Sequence, residues 1–446
     1  MRTAVSVLAL LLVATPVAAQ QVPSRDAILA VLKSEASAEV ARLKNLDAHP
    51  ELPHDSVTGL TANWVSGTFL IGAERLSQAT DVPDVREYTL RAAARFNYAL
   101  AGAEAPVNMI NANNVTIGDV YESVYQRTGQ AGVILPLQQR LDYTLPYLTK
   151  TPVPQRLTWW WCDALFMAPA VYVRMSQITG DRKYIDAMDV QWWRVYDRLW
   201  DDKEHLFARD ERFIDRRDAN GKKIVWSRGE GWVMAGLARM LEAMPADYPS
   251  RPKYVKVYQQ MAARLIELQG DDGLWRSSLI DPAAFPEPET SGTALETYAL
   301  AFGVNHGLLD RKTYLPHVLK AWAGLNAHIL PSGILGQVQT AGDQPVPTMP
   351  DTTTMYASGA FIMAGLEIAA FNDPQTPLPI AVPAPKTLAS PMAFTPPAPR
   401  PADPNASAFE QSEAKRKIEE RQATRSLAYD PVTDDPDFKP GLPGAK

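Results

Sequence analysis

The sequence predicts an all-α protein, and its long-range pattern favours an (α/α)6 barrel of six helical hairpins. Apolar residues recur at helical spacing almost throughout residues 26–371, whereas the alternation typical of strands is scarce. Helices also end repeatedly in a short polar turn and restart at an aromatic residue, as at Tyr88, Tyr184, Tyr254 and Tyr314. These restarts define units of roughly 45–70 residues, which is the size of a helical hairpin.

About twelve helices are predicted from this periodicity. They lie near residues 26–44, 60–79, 83–100, 116–128, 132–148, 162–179, 182–199, 229–243, 251–269, 291–307, 311–328 and 357–371. Short turns within each unit make neighbouring helices antiparallel. Six such hairpins can stack as an open solenoid or close into a ring. The long connections between hairpins carry Trp, Arg and acidic residues, which favours a ring with a site at one end.

The two ends of the sequence differ in composition from the helical part. Residues 1–19 are typical of a secretory signal, with an apolar run followed by the small residues VAA. We therefore expect export to the periplasm or the medium, with an uncleaved anchor as the alternative. No later stretch is long enough to span a membrane, so no insertion is expected after cleavage. Fifteen of the 37 prolines fall in residues 372–446, which predicts a disordered or surface-wrapping tail after a barrel domain at 20–371.

Composition excludes several classes of function. The formal net charge is -6 and no block of basic residues is present, so nucleic acid is not an expected partner. The single cysteine excludes an internal disulfide framework. The six histidines show no metal-ligand spacing, and we expect neither a metal nor a cofactor.

The stretch WWWCDALFMAP (159–169) places Asp163 after three tryptophans and the only cysteine of the sequence. Flat aromatic faces stack on the C–H faces of sugars, so Trp160 and Trp161 suit a saccharide cleft. A carboxyl group beside them loses hydration, which raises its pKa and lets it act as a general acid near neutral pH. The alternative is structural, in which Asp163 caps the following helix and the tryptophans lie in the core.

A second stretch, WSRGEGWVMAGLARML (226–241), combines two glycines with the start of a strongly apolar helix. The free N–H groups and the positive dipole end at a helix N-terminus suit an anion. Arg228 can hold a carboxylate through two parallel hydrogen bonds, and Trp232 offers a further aromatic platform. The alternative is a tight interhelical turn with a surface arginine.

Two other stretches are less specific. EHLFARDERF (204–213) clusters arginines with acids, for which we predict local salt bridges. PEPETSGTALETYAL (286–300) begins a helix, with Thr290 or Ser291 as the expected N-cap.

Four motifs, WWWCDALFMAP, EHLFARDERF with WSRGEGW, DGLWRSSLIDP and TSGTALETYAL, are shared with one group of enzymes. Through them, residues 30–371 resemble the unsaturated glycuronyl (rhamnogalacturonyl) hydrolases of glycoside hydrolase family 105 and, more distantly, family 88. The resemblance implies an (α/α)6 barrel. It also implies an enzyme that removes a 4,5-unsaturated uronic acid from the non-reducing end of lyase-generated oligosaccharides by hydrating the enol-ether double bond. Asp163 would be the general acid/base, with Arg228 and Trp232 along the acidic oligosaccharide.

Two positions depart from the pattern of that family. Many members carry paired acids where this sequence has Asn113 and Asn114, and one of those acids assists the proton donor. An asparagine cannot share charge, so the coupling of a carboxylate pair would be absent. The RGxGW motif usually has Asn where this sequence has Glu230, and a carboxylate there should repel a uronate unless Arg228 or the helix N-terminus compensates. The candidate substrate-binding residues are Trp64, Asn114, Trp160, Trp161, Arg228, Glu230 and Trp232.

These departures leave two alternatives open. One is a glycosidase that acts on a saturated sugar with Asp163 and Glu230 as its carboxylate pair. Turnover of a saturated aryl glycoside would identify it. The other is a sugar-binding relative without activity, which would bind an unsaturated disaccharide and leave it intact.

Overall fold

The structure is a computed structural model that describes residues 21–52, 58–103, 106–150 and 157–372. The predicted signal segment 1–19 and the predicted tail beyond residue 372 lie outside the described residues.

Twelve α-helices of eleven or more residues lie in the described ranges, together with two short ones. The helices are α1 Arg25–Ala48, α2 Trp64–Ala79, α3 Pro83–Arg95, α4 Pro106–Met109, α5 Gly118–Thr128, α6 Ala131–Thr149, α7 Ala164–Met167, α8 Pro169–Thr179, α9 Lys183–Leu199, α10 Ser227–Ala243, α11 Arg251–Glu267, α12 Thr290–Asn305, α13 Arg311–Asn326 and α14 Met355–Ala370. Two short strands, β1 Trp200–Asp201 and β2 Leu206–Phe207, pair antiparallel. The predicted all-α class is confirmed.

Six inner helices form a closed ring. In chain order α2, α5, α8, α10, α12 and α14 each pack against the next, and α14 packs back against α2. The other long helices, α1, α3, α6, α9, α11 and α13, each pack on an inner helix. The contact between α14 and α2 decides between the two architectures that the sequence left open, because an open solenoid keeps its first and last repeats apart. The (α/α)6 barrel is therefore confirmed.

All six inner helices begin at the same end of the barrel. Short turns, such as residues 80–82, 129–130 and 180–182, join each inner helix to the next outer one, so these neighbours run antiparallel. The connections that lead into the inner helices are long, as in 200–226 and 327–354. The inner N-termini and the long loops therefore meet at one end, which we call the loop end.

Closure of the ring depends on close packing at glycines. A Cβ added at Gly359 of α14 would lie 2.2 Å from the carbonyl oxygen of Thr68 in α2. A Cβ added at Gly72 of α2 would lie 2.7 Å from the carbonyl oxygen of Gly359. Both distances are far shorter than van der Waals contact, so only glycine allows the two backbones to approach this closely.

Gly359→Ala should therefore destabilise the barrel by about 1–3 kcal/mol, because the methyl group pushes two packed backbones apart. Gly132→Ala is the matched control, since a Cβ at Gly132 of α6 meets no atom within 4 Å. That variant should keep or slightly raise stability, as alanine favours a helix over glycine. Urea unfolding measures both variants. Equal midpoints would show that α2 and α14 tolerate a wider spacing.

A buried ion-pair network crosses the barrel interior. Asp119 of α5 pairs with Arg239 of α10 at 2.5 Å and with Arg174 of α8. Glu242 of α10 pairs with Arg75 of α2 at 2.7 Å and with Arg174 at 3.2 Å. Burial alone would raise the pKa of Asp119, but the three arginines outweigh it and hold the pKa well below its ordinary value. The network ties four inner helices together by charge.

Candidate active site

The loop end gathers predicted site residues from stretches that are far apart in sequence. Trp64 is the first residue of α2, Asp163 directly precedes α7, and Arg228, Glu230 and Trp232 lie in the first turns of α10. α7 packs against α10, and the ring of Trp64 lies 5.9 Å from that of Trp232. The closed ring therefore brings these side chains into one cluster.

Asp163 is buried at the start of α7, with 6% of its surface exposed. Its side chain makes no capping hydrogen bond to α7, so the structural alternative for this residue is not observed. Instead, Arg209 Nε donates a hydrogen bond to Asp163 Oδ2 at 3.1 Å. Burial raises the pKa of Asp163 above its ordinary value, although Arg209 acts against this. Such a carboxyl group keeps its proton to higher pH than an exposed aspartate, as a general acid requires.

The connection between α9 and α10 delivers Arg209 to Asp163. After the β1–β2 hairpin, its backbone runs beside the end of the tryptophan stretch. Cys162 N donates to the carbonyl oxygen of Arg209 at 2.8 Å, and Trp161 pairs with Asp210 in an antiparallel bridge. Backbone pairing at the two residues directly before Asp163 therefore fixes where the arginine enters the site.

Arg209 has two further contacts at the loop end. Its Nη1 donates to Asp210 at 2.8 Å, and its guanidinium lies 5.4 Å from the centre of the Trp160 ring. The local salt bridge predicted for residues 204–213 is thus confirmed. The bond from Arg209 to Asp163 was not predicted, because 46 positions separate the two residues and no local pattern links them.

Arg228 is 1% exposed and lies between the rings of Trp226 and Tyr356, at 4.5 and 5.0 Å from their centres. Its Nη1 donates to the carbonyl oxygen of Gln339, and its Nη2 donates to that of Thr340, both at 2.8 Å. Arg228 is therefore neither the surface arginine nor the arginine free to bind a carboxylate by two hydrogen bonds that the sequence suggested. Arg228 fixes the loop before α14 in place, and its role in substrate binding stays a prediction.

The aromatic side chains of the cluster divide into buried and partly exposed rings. Trp232 is 1% exposed and Trp161 is 4% exposed. Trp232 packs against Phe166 at 4.7 Å between ring centres. Trp64 and Trp160 are only partly buried. An open sugar platform was expected at Trp232 and Trp161, but both rings are covered by packing; the accessible aromatic surface belongs to Trp64 and Trp160.

Glu230 is buried in the first turn of α10, with 1% exposure. Both of its carboxyl oxygens lie within 3.0–3.1 Å of the backbone nitrogen of Phe207, which donates to them. Burial raises the pKa of Glu230 well above its ordinary value, and the charge of Asp163 raises it further, while the Phe207 N–H opposes both. Burial therefore favours the uncharged acid form of the side chain, which weakens the repulsion of a uronate that the sequence suggested.

Asn113 and Asn114 lie in a 3₁₀ turn, Ala112–Val115, which packs against α7. Asn114 Nδ2 donates to the carbonyl oxygen of Asn108 at 2.8 Å, so its amide supports its own loop. Within the described parts of the chain, no hydrogen bond joins Asn114 to Asp163. Among the described residues, Asp163 is therefore paired with Arg209 and not with the second carboxylate that the family pattern suggests.

The start of α12 differs from the prediction. The N-cap is Glu289, rather than Thr290 or Ser291, and its side chain accepts from the N–H groups of Ser291 and Gly292 at 3.0 and 2.6 Å. Glu289 also accepts from the N–H of Gln339 at 3.1 Å. A glutamate is an uncommon N-cap, and this one is selected because the same carboxylate also holds the loop before α14.

No group of three or more His, Cys, Asp or Glu side chains is arranged to hold a metal ion in the ranges that the structure covers. No helix in these same ranges is both long enough and apolar enough to cross a membrane.

The chain is similar in sequence to proteins of one family. The model of Glycosyl Hydrolase Family 88 matches residues 37–372. An unsaturated 3S-rhamnoglycuronyl hydrolase from Formosa agariphila is 37% identical over 321 residues, which cover 69% of this chain and 84% of that protein. Another unsaturated 3S-rhamnoglycuronyl hydrolase, from Alteromonas sp., is 31% identical over 356 residues, which cover 76% of this chain and 85% of that protein.

The fold is also similar to a solved structure. A family 88 glycosyl hydrolase from Bacteroides vulgatus superposes with a TM-score of 0.69 at 25% sequence identity. The superposition covers 78% of this chain and 100% of that chain.

Proposed function

The chain belongs to Glycosyl Hydrolase Family 88, one of the two families that its motifs resemble, and we propose that it removes a 4,5-unsaturated uronic acid from the non-reducing end of lyase-generated oligosaccharides. The names of the two curated relatives describe unsaturated rhamnoglycuronides, and we propose the same uronate–rhamnose linkage for this substrate. One observation carries the proposal: Asp163 is a buried acid of raised pKa, next to an arginine and a partly exposed tryptophan at the loop end.

In the proposed reaction, Asp163 acts first as an acid and then as a base. It donates its proton to C4 of the enol ether, which leaves positive charge shared between C5 and the ring oxygen. Water adds at C5 and gives a proton to the Asp163 carboxylate, which forms a hemiketal. The hemiketal opens to a ketone at C5, and the ring oxygen becomes a hydroxyl group on C1. The hemiacetal at C1 then collapses to an aldehyde and releases the aglycone, so that one water is consumed and Asp163 regains its proton.

The surroundings of Glu230 favour this reaction over a direct attack on a saturated glycoside. A paired-carboxylate glycosidase needs its second carboxylate free to activate water or to attack the sugar. Both oxygens of Glu230 face the backbone N–H of Phe207, and the side chain is buried. Glu230 therefore supports the fold of the β2 segment, and Asp163 is left as the acid of the site.

We also propose that the enzyme works outside the cytoplasm, in the periplasm or the medium. The proposal rests on residues 1–19, whose apolar run and VAA site are typical of a cleaved signal. The mature protein recovered from the exporting cell should begin at Gln20. A protein that keeps its first residues and stays in the cytoplasmic fraction would refute this proposal.

Turnover of lyase digests from several acidic polysaccharides tests the function. The ultraviolet absorbance of the enol ether should fall, and it should fall fastest for unsaturated uronates linked to rhamnose. A saturated aryl glycoside of the same uronic acid should remain intact. Cleavage of that saturated compound would support the glycosidase alternative, and tight binding of the unsaturated disaccharide without turnover would support the inactive sugar-binding alternative.

A further inference from the structure

We propose that Arg209 receives the carboxylate of the uronate, and that it leaves Asp163 to do so. Asp163 is then paired with an arginine in the free enzyme and is released as an acid once the substrate is bound. This inference rests on the proposed function, because it takes Asp163 as the acid and a uronate as the substrate. It gives Arg209 a substrate-binding role that the sequence did not indicate.

The two arginines of the site differ in the atoms that they can offer. Both terminal nitrogens of Arg228 already donate to backbone carbonyls, and the residue is 1% exposed. The side chain of Arg209 is 14% exposed. Its Nε donates to Asp163 and its Nη1 to Asp210, whereas its Nη2 donates to no atom of the described residues. Nε and Nη2 form one edge of the planar guanidinium, so release of Asp163 frees an edge that can hold a carboxylate by two bonds.

Arg209 also lies beside a surface on which a sugar can pack. Its guanidinium is 5.4 Å from the centre of the Trp160 ring, and that ring is only partly buried. A uronate on the exposed part of Trp160 would therefore meet the cation and the acid Asp163 side by side. A neutral sugar has no carboxylate that could take the place of Asp163 at the guanidinium of Arg209.

The charged groups around Asp163 make its protonation state depend on whether Arg209 is in contact with it. The ionisable groups that surround it are Cys162, Arg209, Asp210, Arg228 and Glu230. Burial raises the pKa of Glu230 and that of the Cys162 thiol, so both favour their uncharged forms. Neither group carries a positive charge in any protonation state, so neither can replace the charge that Asp163 would lose.

Asp210 stays charged throughout and anchors the arginine. Burial would raise the pKa of Asp210, but hydrogen bonds from Arg212 and Arg209 outweigh it and hold the pKa below its ordinary value. Arg209 can therefore turn about its bond to Asp210 while its other edge moves from Asp163 to the substrate. A buried carboxylate that loses its partner is stabilised by taking up a proton, so binding of the uronate converts Asp163 into the acid that the reaction needs.

Steady-state kinetics of Arg209→Gln test the carboxylate contact. The variant should raise KM for the unsaturated disaccharide about 10- to 100-fold, the usual effect of removing a hydrogen bond to a charged group. The methyl ester of the same disaccharide should show nearly equal KM for wild type and variant, because it lacks the charge. Arg209→Lys keeps the positive charge but not the two parallel hydrogen-bond donors, so it should reverse part of the rise in KM.

The matched control is Arg217→Gln. Arg217 lies on the same connection but is exposed, and its side chain donates to the backbone carbonyls of Ile214 and Arg216. Its removal costs the connection one positive charge without a contact to Asp163 or Asp210 being lost. KM for the free acid and for the ester should both stay within about twofold of wild type.

The pH profile separates this exchange from a merely structural role. Activity needs protonated Asp163, so it falls as pH rises through the pKa of that group. Loss of Arg209 raises this pKa in the free enzyme, so the alkaline limb of the pH profile of kcat/KM should move to higher pH. The alkaline limb of the kcat profile reports the complex, in which Arg209 has already moved from Asp163 to the uronate, so it should move less than the limb of kcat/KM. If Arg209 stayed on Asp163 and only held it in place, both limbs would move by the same amount.

Two outcomes would overturn the inference while leaving the proposed function intact. One is an Arg209→Gln variant that still prefers the free acid over the methyl ester as strongly as wild type does. The other is a shift of the two pH limbs by equal amounts. Absence of any turnover by the wild-type enzyme would instead refute the proposed function itself, so the two failures are distinguishable. Equal melting temperatures of the variants and wild type exclude misfolding as the cause.

Discussion

Replacing Asp163 with asparagine should lower kcat by about 10²–10⁴-fold, the range that a positioned general acid contributes. The amide has nearly the same shape as the carboxyl group and can still accept the hydrogen bond from Arg209. It has no acidic proton to donate to C4 and cannot take one from water. The initial rate of enol-ether loss, compared with wild type at equal enzyme concentration, measures the effect.

Asp202→Asn is the control for this variant. It makes the same chemical change on an exposed residue of the connection between α9 and α10, where Asp202 accepts a hydrogen bond from Trp200. Its rate should stay within about twofold of wild type, and both variants should melt at the wild-type temperature. An Asp163→Asn enzyme with wild-type kcat would remove Asp163 from the mechanism.

Replacing Asp119 with asparagine should destabilise the barrel by about 3–5 kcal/mol, because it leaves buried arginines without their carboxylate partner. Arg174 and Arg239 are 2% and 0% exposed, so water cannot replace the lost charge. The remaining acid of the network, Glu242, contacts Arg174 but not Arg239 in the described structure. Urea unfolding followed by circular dichroism should show a clear fall in the midpoint.

The control for this second variant is Glu87→Gln. Glu87 pairs with Arg91 on the surface, where both side chains are more than half exposed, and exposed ion pairs add little to stability. Its unfolding midpoint should equal that of wild type. If Asp119→Asn is as stable as Glu87→Gln, the network is not what holds the inner helices together.

The helices could be predicted from sequence because apolar periodicity and turn residues are local signals. The helix predicted at 229–243 begins at Ser227, and most other boundaries agree as closely. Closure of the ring was favoured only through the lengths of the connections. The deciding contact joins Gly359 of α14 to α2, nearly 300 positions away, and no local pattern encodes it.

The site was predictable in part for the same reason. Asp163 could be identified from its immediate neighbours in sequence, because a carboxyl group so close to tryptophans is chemically unusual. The partner of that acid was missed, since Arg209 reaches it through a backbone pairing between distant segments. The effect of Glu230 was also misjudged, because burial raises its pKa well above the ordinary value even though the N–H of Phe207 acts against this. Long-range packing sets protonation, and a linear sequence does not display it.

The most direct test of the central claim follows two signals in one reaction of the wild-type enzyme with an unsaturated uronyl-rhamnose disaccharide. The absorbance of the enol ether reports the double bond, and chromatography reports free rhamnose. If Asp163 hydrates the double bond, absorbance must fall before or together with the release of rhamnose, mole for mole. Release of rhamnose with the double bond intact in the freed uronate would contradict hydration and would mean that the glycosidic bond is attacked directly.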